Sequence, residues 1–147
     1  MRVRELLKGR MSDVITIETT STVSTAAHLL MRHGIGGLPV IGRDGRIAGF
    51  IAEREIVAAL DSHAEPIGSL AVERIMRRPA PTCSVDDPVK DIMVGITRER
   101  LRHIVVMDGG RIVGIVSVGD IVKHRLEQLE VEAGVLRDYV AAQRAVG

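Results

Sequence analysis

Residues 103–120 read HIVVMDGGRIVGIVSVGD, and residues 38–55 read LPVIGRDGRIAGFIAERE. In each stretch two apolar runs flank a turn that contains glycine, and this pattern predicts a β-hairpin. The likeness extends outward, because residues 81–126 repeat residues 15–60. A unit that occurs twice is expected to fold as two similar halves that bury their apolar faces against each other. Clefts between packed units are places where small ligands bind.

Each half reads as strand, helix, strand, strand, helix. The first helix of each half is indicated by apolar residues at helical spacing, which are Val23, Ala26, Ala27, Leu30 and Met31 in one half and Val89, Ile92, Met93 and Ile96 in the other. The second helix is expected to begin near Glu53 and near Val118. The sequence therefore predicts an α/β fold of two β-α-β-β-α domains at residues 8–67 and 76–132.

Three further segments are expected to be helical. Short helices at Val3–Lys8 and at Leu70–Met76, the latter capped by Ser69, are predicted to lead into the two halves. Residues 122–145 depart from the repeat and predict a long C-terminal helix. Its apolar residues follow a heptad spacing, so it either folds back on its own domain or meets its copy in a homodimer; they are Val122, Leu126, Leu129, Ala133, Leu136 and Val140.

Composition narrows the class of protein. Only 1% of the 147 residues are aromatic and the net charge is +1, which disfavours single-stranded nucleic acid and gives no strong field toward DNA or an anionic membrane. No apolar run is long enough to cross a bilayer, and the N-terminus carries no signal-peptide core. One cysteine cannot form an internal disulfide. We expect a cytoplasmic protein without nucleic-acid or membrane partners.

The turn from the second hairpin into the last helix is the strongest candidate site. Backbone N–H groups at such a turn point outward and suit phosphate. Ser117 can cap the helix or donate its hydroxyl to a phosphate, and Asp120 can accept hydrogen bonds from the cis-diol of a ribose. The other interpretation is structural: Ser117 is an N-cap, and Asp120 is a first-turn acid that the helix dipole favours.

This arrangement resembles the cystathionine-β-synthase-type (CBS) domain pair. The resemblance is carried by Gly-hydrophobic-x-Ser/Thr-x-x-Asp after a hairpin in a tandem repeat, and it covers roughly residues 8–126. It implies a pseudo-two-fold disc and a stand-alone, bacterial-type signal-transduction module with a regulatory and non-catalytic role. It also implies an adenosine-type regulatory ligand, namely AMP, ADP, ATP, S-adenosylmethionine or NAD, with no required cofactor.

The resemblance also implies roles for individual residues. Ser117 would contact phosphate, Asp120 would hold the ribose hydroxyls, and Arg102 and His103 would reach phosphates. Residues that enter the first strand of the second half would flank the adenine, and these are Pro81, Thr82 and Cys83. The candidate set is completed by Val116, Ile104 and Thr16.

The first half departs from this pattern. Ala52 lacks the hydroxyl, Glu55 replaces the aspartate, and Gly36-Gly37 replaces the basic pair, while Arg54 is a possible phosphate contact. We therefore expect unequal sites, in which the cleft at Asp120 is the stronger and the cleft at Glu55 is weak or vacant.

Other chemistry is not expected from the sequence. The five histidines lack the paired spacing of a zinc site, and Cys83 is interpreted as a buried structural thiol. Expected partners are a nucleotide, a second copy and an unidentified protein target. Two alternatives stay open: a structural dimerisation module with vestigial clefts, and a regulatory fragment related to an enzyme such as IMP dehydrogenase.

Overall fold

A computed structural model describes residues 1–11 and 13–146. Helix α1 comes first, at Val3–Leu6. The first half then contains β1 (Ile17–Glu18), α2 (Val23–His33), β2 (Gly37–Ile41), β3 (Ile47–Ala52) and α3 (Glu53–Ser62). A 3₁₀ turn at Val72–Arg74 connects to the second half, which contains β4 (Thr82–Ser84), α4 (Val89–Glu99), β5 (His103–Asp108), β6 (Arg111–Ser117) and α5 (Val118–Val146).

The two halves contain the same three-stranded sheet. In each, the first strand pairs parallel with the second, and the second pairs antiparallel with the third. Equivalent residues occupy equivalent registers, since Ile17 lies beside Val40 and Cys83 lies beside Val106. An irregularity follows Val40 and Val106 alike. The predicted α/β fold with two β-α-β-β-α repeats and a long C-terminal helix is confirmed.

Within the chain, the two leading segments are exchanged: the segment before the first half packs on the second half, and the segment before the second half packs on the first. The backbone N–H of Val3 donates to the carbonyl of Asp87 in the second half at 2.9 Å. The backbone N–H of Val72 donates to the carbonyl of Ser21 in the first half at 2.8 Å. Ser21 and Asp87 are equivalent in the repeat, so each leading segment completes the half that it does not precede. The core of each half is therefore complete only with the leading segment of the other half in place.

The prediction of a helix over Leu70–Met76 is wrong in its extent and in the kind of helix. Only Val72–Arg74 forms a helical turn, and it is a 3₁₀ turn. Its N-cap is Ala71, which makes no side-chain capping bond, so Ser69 does not cap it. Val72 and Glu73 donate their N–H groups to Ser21 and Thr19 of the first half, and the turn ends at Ile75, whose φ of −124° is not helical.

The core is aliphatic and joins the halves at one place. Each half has its own cluster of buried Val, Ile and Leu side chains. A third cluster, which includes Phe50 and Ala52 of β3 and Val105 of β5, lies between the sheets. Met31 and Met93, expected on buried helix faces, are 82% and 40% exposed. The buried stripes of α2 and α4 are narrower than the apolar spacing indicates.

Helix α5 contributes to the core of its own domain only at its start. Ile121 is the last of its side chains to reach the core. Its later large apolar residues are between 40% and 67% exposed. This excludes a helix folded back on its own domain. No helix in the described part of the chain combines the length and apolar character that a bilayer crossing demands.

Candidate functional site

A cavity of about 810 Å³ lies at the seam between the halves. We name it the Glu55 cleft. It is lined from the first half by the start of α3, from the connecting segment by Arg77 and Pro81, and from the second half by the approach to β5. Its polar and ring-bearing lining residues are Phe50, Glu53, Arg54, Glu55, Asp61, Arg77, Arg100, Arg102 and His103.

The Glu55 cleft gathers positive charge from both halves. Arg54 comes from the first half, Arg77 from the connecting segment, and Arg100 and Arg102 from the second half. All four are exposed, and none forms an ion pair with another residue of the described ranges. Unpaired guanidinium groups beside a cavity suit the oxygens of phosphate or carboxylate ligands.

Glu55 supplies a carboxylate within this positive surround. Burial raises the pKa of Glu55 above its ordinary value, and the backbone N–H of Ala52 and the charge of Arg77 oppose that rise in part. The carboxylate lies one turn into α3, on the cleft wall. A half-buried carboxylate with free acceptor capacity can bind a pair of hydroxyl groups.

Two rings close the inner end of the cleft. The centroids of Phe50 and His103 are 5.7 Å apart with an interplanar angle of 35°. The glycine pair makes room for them, since a Cβ at Gly36 would lie 2.7 Å from Nε2 of His103 and a Cβ at Gly37 would lie 2.3 Å from Cζ of Phe50. Burial lowers the pKa of His103. The space left by the missing basic pair of the first half is therefore used by a ring from the second half.

Arg100 is held in an uncommon backbone conformation. It ends α4 with φ of 55°, in the left-handed region, where the equivalent residue of the first half is Gly34 with φ of 60°. A residue with a Cβ is disfavoured there, and strain of this kind is concentrated at functional sites. Sequence reasoning missed Arg100 as a cleft residue. The signal for Arg100 is that it replaces a capping glycine in the repeat.

Asp120 takes part in a different structure. Its Oδ2 accepts from the backbone N–H of Ser117 at 2.9 Å, and the Oγ of Ser117 accepts from the N–H of Asp120 at 3.1 Å. This reciprocal pair is a capping box at the start of α5. The other oxygen of Asp120 accepts from Arg10 at 3.0 Å. Burial would raise the pKa of Asp120, but these bonds together hold it below its ordinary value.

A second cavity of about 620 Å³ lies beside Asp120. We name it the Asp120 cleft. One further wall is formed by α1 and the residues that flank it, and another by the middle of α5. Unlike the Glu55 cleft, this cavity does not lie at the seam between the two halves. Its lining residues are Met1, Glu5, Leu6, Arg10, Asp120, Lys123, His124, Glu127, Gln128, Val131 and Glu132.

The structure divides the residues that the sequence assigned to one site. Arg102, His103 and Pro81 line the Glu55 cleft together with Glu55 and Arg54, whereas Asp120 lines the other cavity. Among the remaining candidates, Cys83, Ile104 and Val116 are buried in the core of the second half, and Thr16 and Thr82 are exposed and line neither cavity.

Two further expectations concern reactive groups. Burial raises the pKa of Cys83 to about 12, with a smaller contribution from Asp87, so this thiol stays protonated at neutral pH. Within residues 1–11 and 13–146, no three His, Cys, Asp or Glu side chains are grouped so that they could hold a metal ion.

Comparison with known proteins gives consistent matches. The CBS domain profile matches residues 3–62 and 72–127. Hypoxic response protein 1 of Mycobacterium tuberculosis is 30% identical over 116 residues, which cover 76% of this chain and 78% of that protein. L-aspartate semialdehyde sulfurtransferase of Methanocaldococcus jannaschii is 31% identical over 108 residues, but the matched region is only 20% of that enzyme's length.

Solved structures share the fold. The CBS-domain containing protein ATU1752 from Agrobacterium tumefaciens has a TM-score of 0.79 and 31% identity, and the match covers 85% of this chain and 99% of that one. The CBS domain pair of protein MJ0100, solved in complex with 5′-methylthioadenosine and S-adenosyl-L-methionine, has a TM-score of 0.74 and 26% identity over 87% of this chain and 98% of that one. Because the profile matches both halves and covers most of the sequence, the chain belongs to the CBS domain family.

Proposed function

We propose that this protein is a non-catalytic regulatory module that binds an adenosine-type nucleotide in the Glu55 cleft. One observation carries the proposal: a single cavity at the seam combines the carboxylate of Glu55 with four arginines drawn from both halves and the segment that connects them. Its volume of about 810 Å³ lies within the range of small-molecule sites.

The lining residues suggest a pose for the nucleotide. Glu55 accepts hydrogen bonds from the ribose diol, as an acidic residue does in dinucleotide folds. Arg54, Arg100 and Arg102 neutralise the phosphates. The adenine lies on the aliphatic wall, which includes Pro81, Val57 and Ala58. The adenosine compounds bound in the MJ0100 domain pair support this ligand class.

Regulation follows from the position of the cleft. A ligand changes a conformational equilibrium only if its affinity differs between the two states. A nucleotide at the seam contacts both halves, so its affinity depends on their relative arrangement. We propose that the signal passes to a homodimer or to a protein target in the cytoplasm.

The Asp120 cleft is the second candidate. It contains the Ser117–Asp120 pair, on which the sequence resemblance rests, but both oxygens of the Asp120 carboxylate already accept hydrogen bonds. A ribose there would compete with Arg10 for the same carboxylate. The geometry therefore favours the reverse of the ranking expected from the sequence.

Titration calorimetry on a matched pair of variants tests the proposal. The purified protein is titrated with AMP, ADP, ATP, S-adenosylmethionine and NADH, and the products are checked for turnover. We expect Glu55→Gln to weaken binding at least tenfold, as loss of a charged acceptor does, and Asp120→Asn to leave the affinity unchanged. The opposite pattern would assign the ligand to the Asp120 cleft. Absence of binding by all five compounds would favour a structural module with vestigial clefts, and turnover would favour an enzyme.

A further inference from the structure

The exposed part of α5 carries a continuous apolar stripe. Its members alternate at spacings of four and three residues, which places Leu126, Ala133 and Val140 at heptad position a and Val122, Leu129 and Leu136 at position d. The five larger side chains are between 40% and 62% exposed in the single chain. A helix with such a stripe needs a partner that supplies matching apolar residues.

The charges beside the stripe indicate which partner fits. Arg125 and Glu132 occupy heptad position g, and Glu130 and Arg137 occupy position e; all four are exposed. In a parallel pair of identical helices, each g residue faces the e residue five positions later in the other chain. Arg125 would then face the partner's Glu130, and Glu132 would face the partner's Arg137. Both pairs are attractive, and each occurs twice.

The antiparallel pairing that overlaps the whole apolar stripe is unfavourable. With Val122 opposite the partner's Val140, the e positions face each other and the g positions face each other. Lys123 would face the partner's Arg137, and Glu130 and Glu132 would each face their own copies. These contacts are all between like charges, which destabilise helix pairs.

We infer that α5 forms a parallel two-stranded coiled coil with α5 of a second copy. The inference deepens the homodimer of the proposed function and rests on it, but it does not depend on nucleotide binding. Leucine at position d is typical of two-stranded pairs, and Gly119 at the first a position lets the helices approach closely. A hollow of about 560 Å³ beside this end of α5 is lined by Gly119, Val122, Lys123, Leu126, Glu127 and Glu130.

The paired face of α5 meets the face that lines the Asp120 cleft only at its edge. Beyond Asp120, the α5 residues of that cleft are His124, Glu127, Gln128 and Val131 at the outer positions b, c and f, and Lys123 and Glu132 at the flanking positions e and g. A parallel dimer therefore places the partner helix at the rim of the Asp120 cleft, leaves the Glu55 cleft clear of α5, and holds the two discs at the same end of the coil.

Charge reversal in the full chain tests the pairing. Sedimentation of the nucleotide-free protein should give a dimer. Arg125→Glu and Glu130→Arg should each weaken it about tenfold, since each replaces two attractions with two repulsions. An equimolar mixture of the two variants should recover the affinity as a heterodimer, and Asp138→Arg, on the outer face, should have no effect. A monomeric wild type, or single reversals without effect, would overturn the inference.

A disulfide test determines the direction of the helices. In a parallel coil, Gln143→Cys at position d places two thiols side by side, and a mild oxidant should cross-link them. In an antiparallel coil the same positions lie about 36 Å apart and cannot react. Asp138→Cys is the matched control on the outer face and should not cross-link. Arg125→Glu should bind nucleotide with the affinity of the wild type, so that a failure of the dimer can be told apart from a failure of the ligand proposal. Absence of the cross-link in a proven dimer would overturn the parallel arrangement.

Discussion

Arg10 and Asp120 are 110 positions apart in the sequence, and Nη1 of the arginine lies 3.0 Å from Oδ1 of the aspartate. The pair connects the segment after α1 to the first turn of α5. Because the same carboxylate also completes the capping box with Ser117, one side chain secures both the start of α5 and the exchanged leading segment. The carboxylate that looked most like a ligand group in the sequence thus has a structural role in the single chain.

We expect Asp120→Asn to lower the free energy of unfolding by about 1 kcal/mol at pH 7, because it removes the ion pair and weakens the cap. The effect should depend on pH. The pKa of Asp120 in the folded chain is below its ordinary value of 3.8, so its contribution is present above that value and is lost as the pH falls through the folded value. Urea unfolding at pH 7 and pH 3 measures the difference. Asp138→Asn, on the exposed part of α5, is the control, and an Asp120→Asn deficit that persists undiminished at the lowest pH would contradict this account.

The two equivalent glycines of β3 and β6 should differ in their tolerance of alanine. A Cβ at Gly49 would lie 2.6 Å from the backbone oxygen of Arg77. That oxygen accepts from the N–H of Phe50, and the N–H of Arg77 donates to the oxygen of Phe50, so the Arg77 backbone is fixed. A Cβ at Gly114 would lie 2.9 Å from Cδ1 of Leu7, the movable end of a side chain. We expect Gly49→Ala to cost about 2–3 kcal/mol and Gly114→Ala about 1 kcal/mol. Chemical unfolding measures both, and equal costs would show that the Arg77 backbone can yield.

The repeat made the fold predictable, but not the composition of the clefts. Hairpins, turns and helix starts depend on local residues, and a duplicated pattern such as that around Gly49 and Gly114 indicates two similar halves. The clefts depend on how the halves meet. The resemblance placed His103 and Asp120 at one site, whereas in the fold the His103 ring packs against Phe50 and lines the cleft of Glu55, and only the charge of Asp120 acts on it. The exchange of leading segments could not be predicted either, because no local pattern indicates which half a short helix will pack against.

Substitutions at the equivalent positions Arg100 and Gly34 measure the cost of the left-handed conformation. We expect Arg100→Gly to stabilise the protein by about 1 kcal/mol, because glycine adopts the left-handed conformation without the penalty of a Cβ. Gly34→Arg should destabilise it by a similar amount, since the space around that position is open and only the backbone conformation is affected. Thermal unfolding measures both changes.

The same Arg100 substitution should weaken ligand binding. Loss of one guanidinium from the Glu55 cleft should reduce ATP affinity about five- to tenfold and leave adenosine affinity unchanged, because adenosine has no phosphate. Calorimetric titration with the two ligands makes the comparison. Equal losses for both would mean that Arg100 shapes the cleft rather than contacting phosphate.

His103 should take up a proton when a phosphate-bearing ligand binds. Burial lowers its pKa below the ordinary value of 6.5, with Asp120 and Glu53 opposing that shift and Arg102 adding to it. In the free protein the ring is therefore neutral more often than charged at pH 6.5, and stability should fall as the pH drops below that value, since the unfolded chain binds the proton more readily. A phosphate beside the ring favours the charged form and raises its pKa. Calorimetry of AMP binding at pH 6.5, in buffers of different ionisation enthalpy, should show uptake of up to about one proton per site, and none at pH 8.5. His103→Gln should abolish the uptake while retaining the packing against Phe50. Uptake that survives this substitution would have to be assigned to another group of the cleft, such as Glu55.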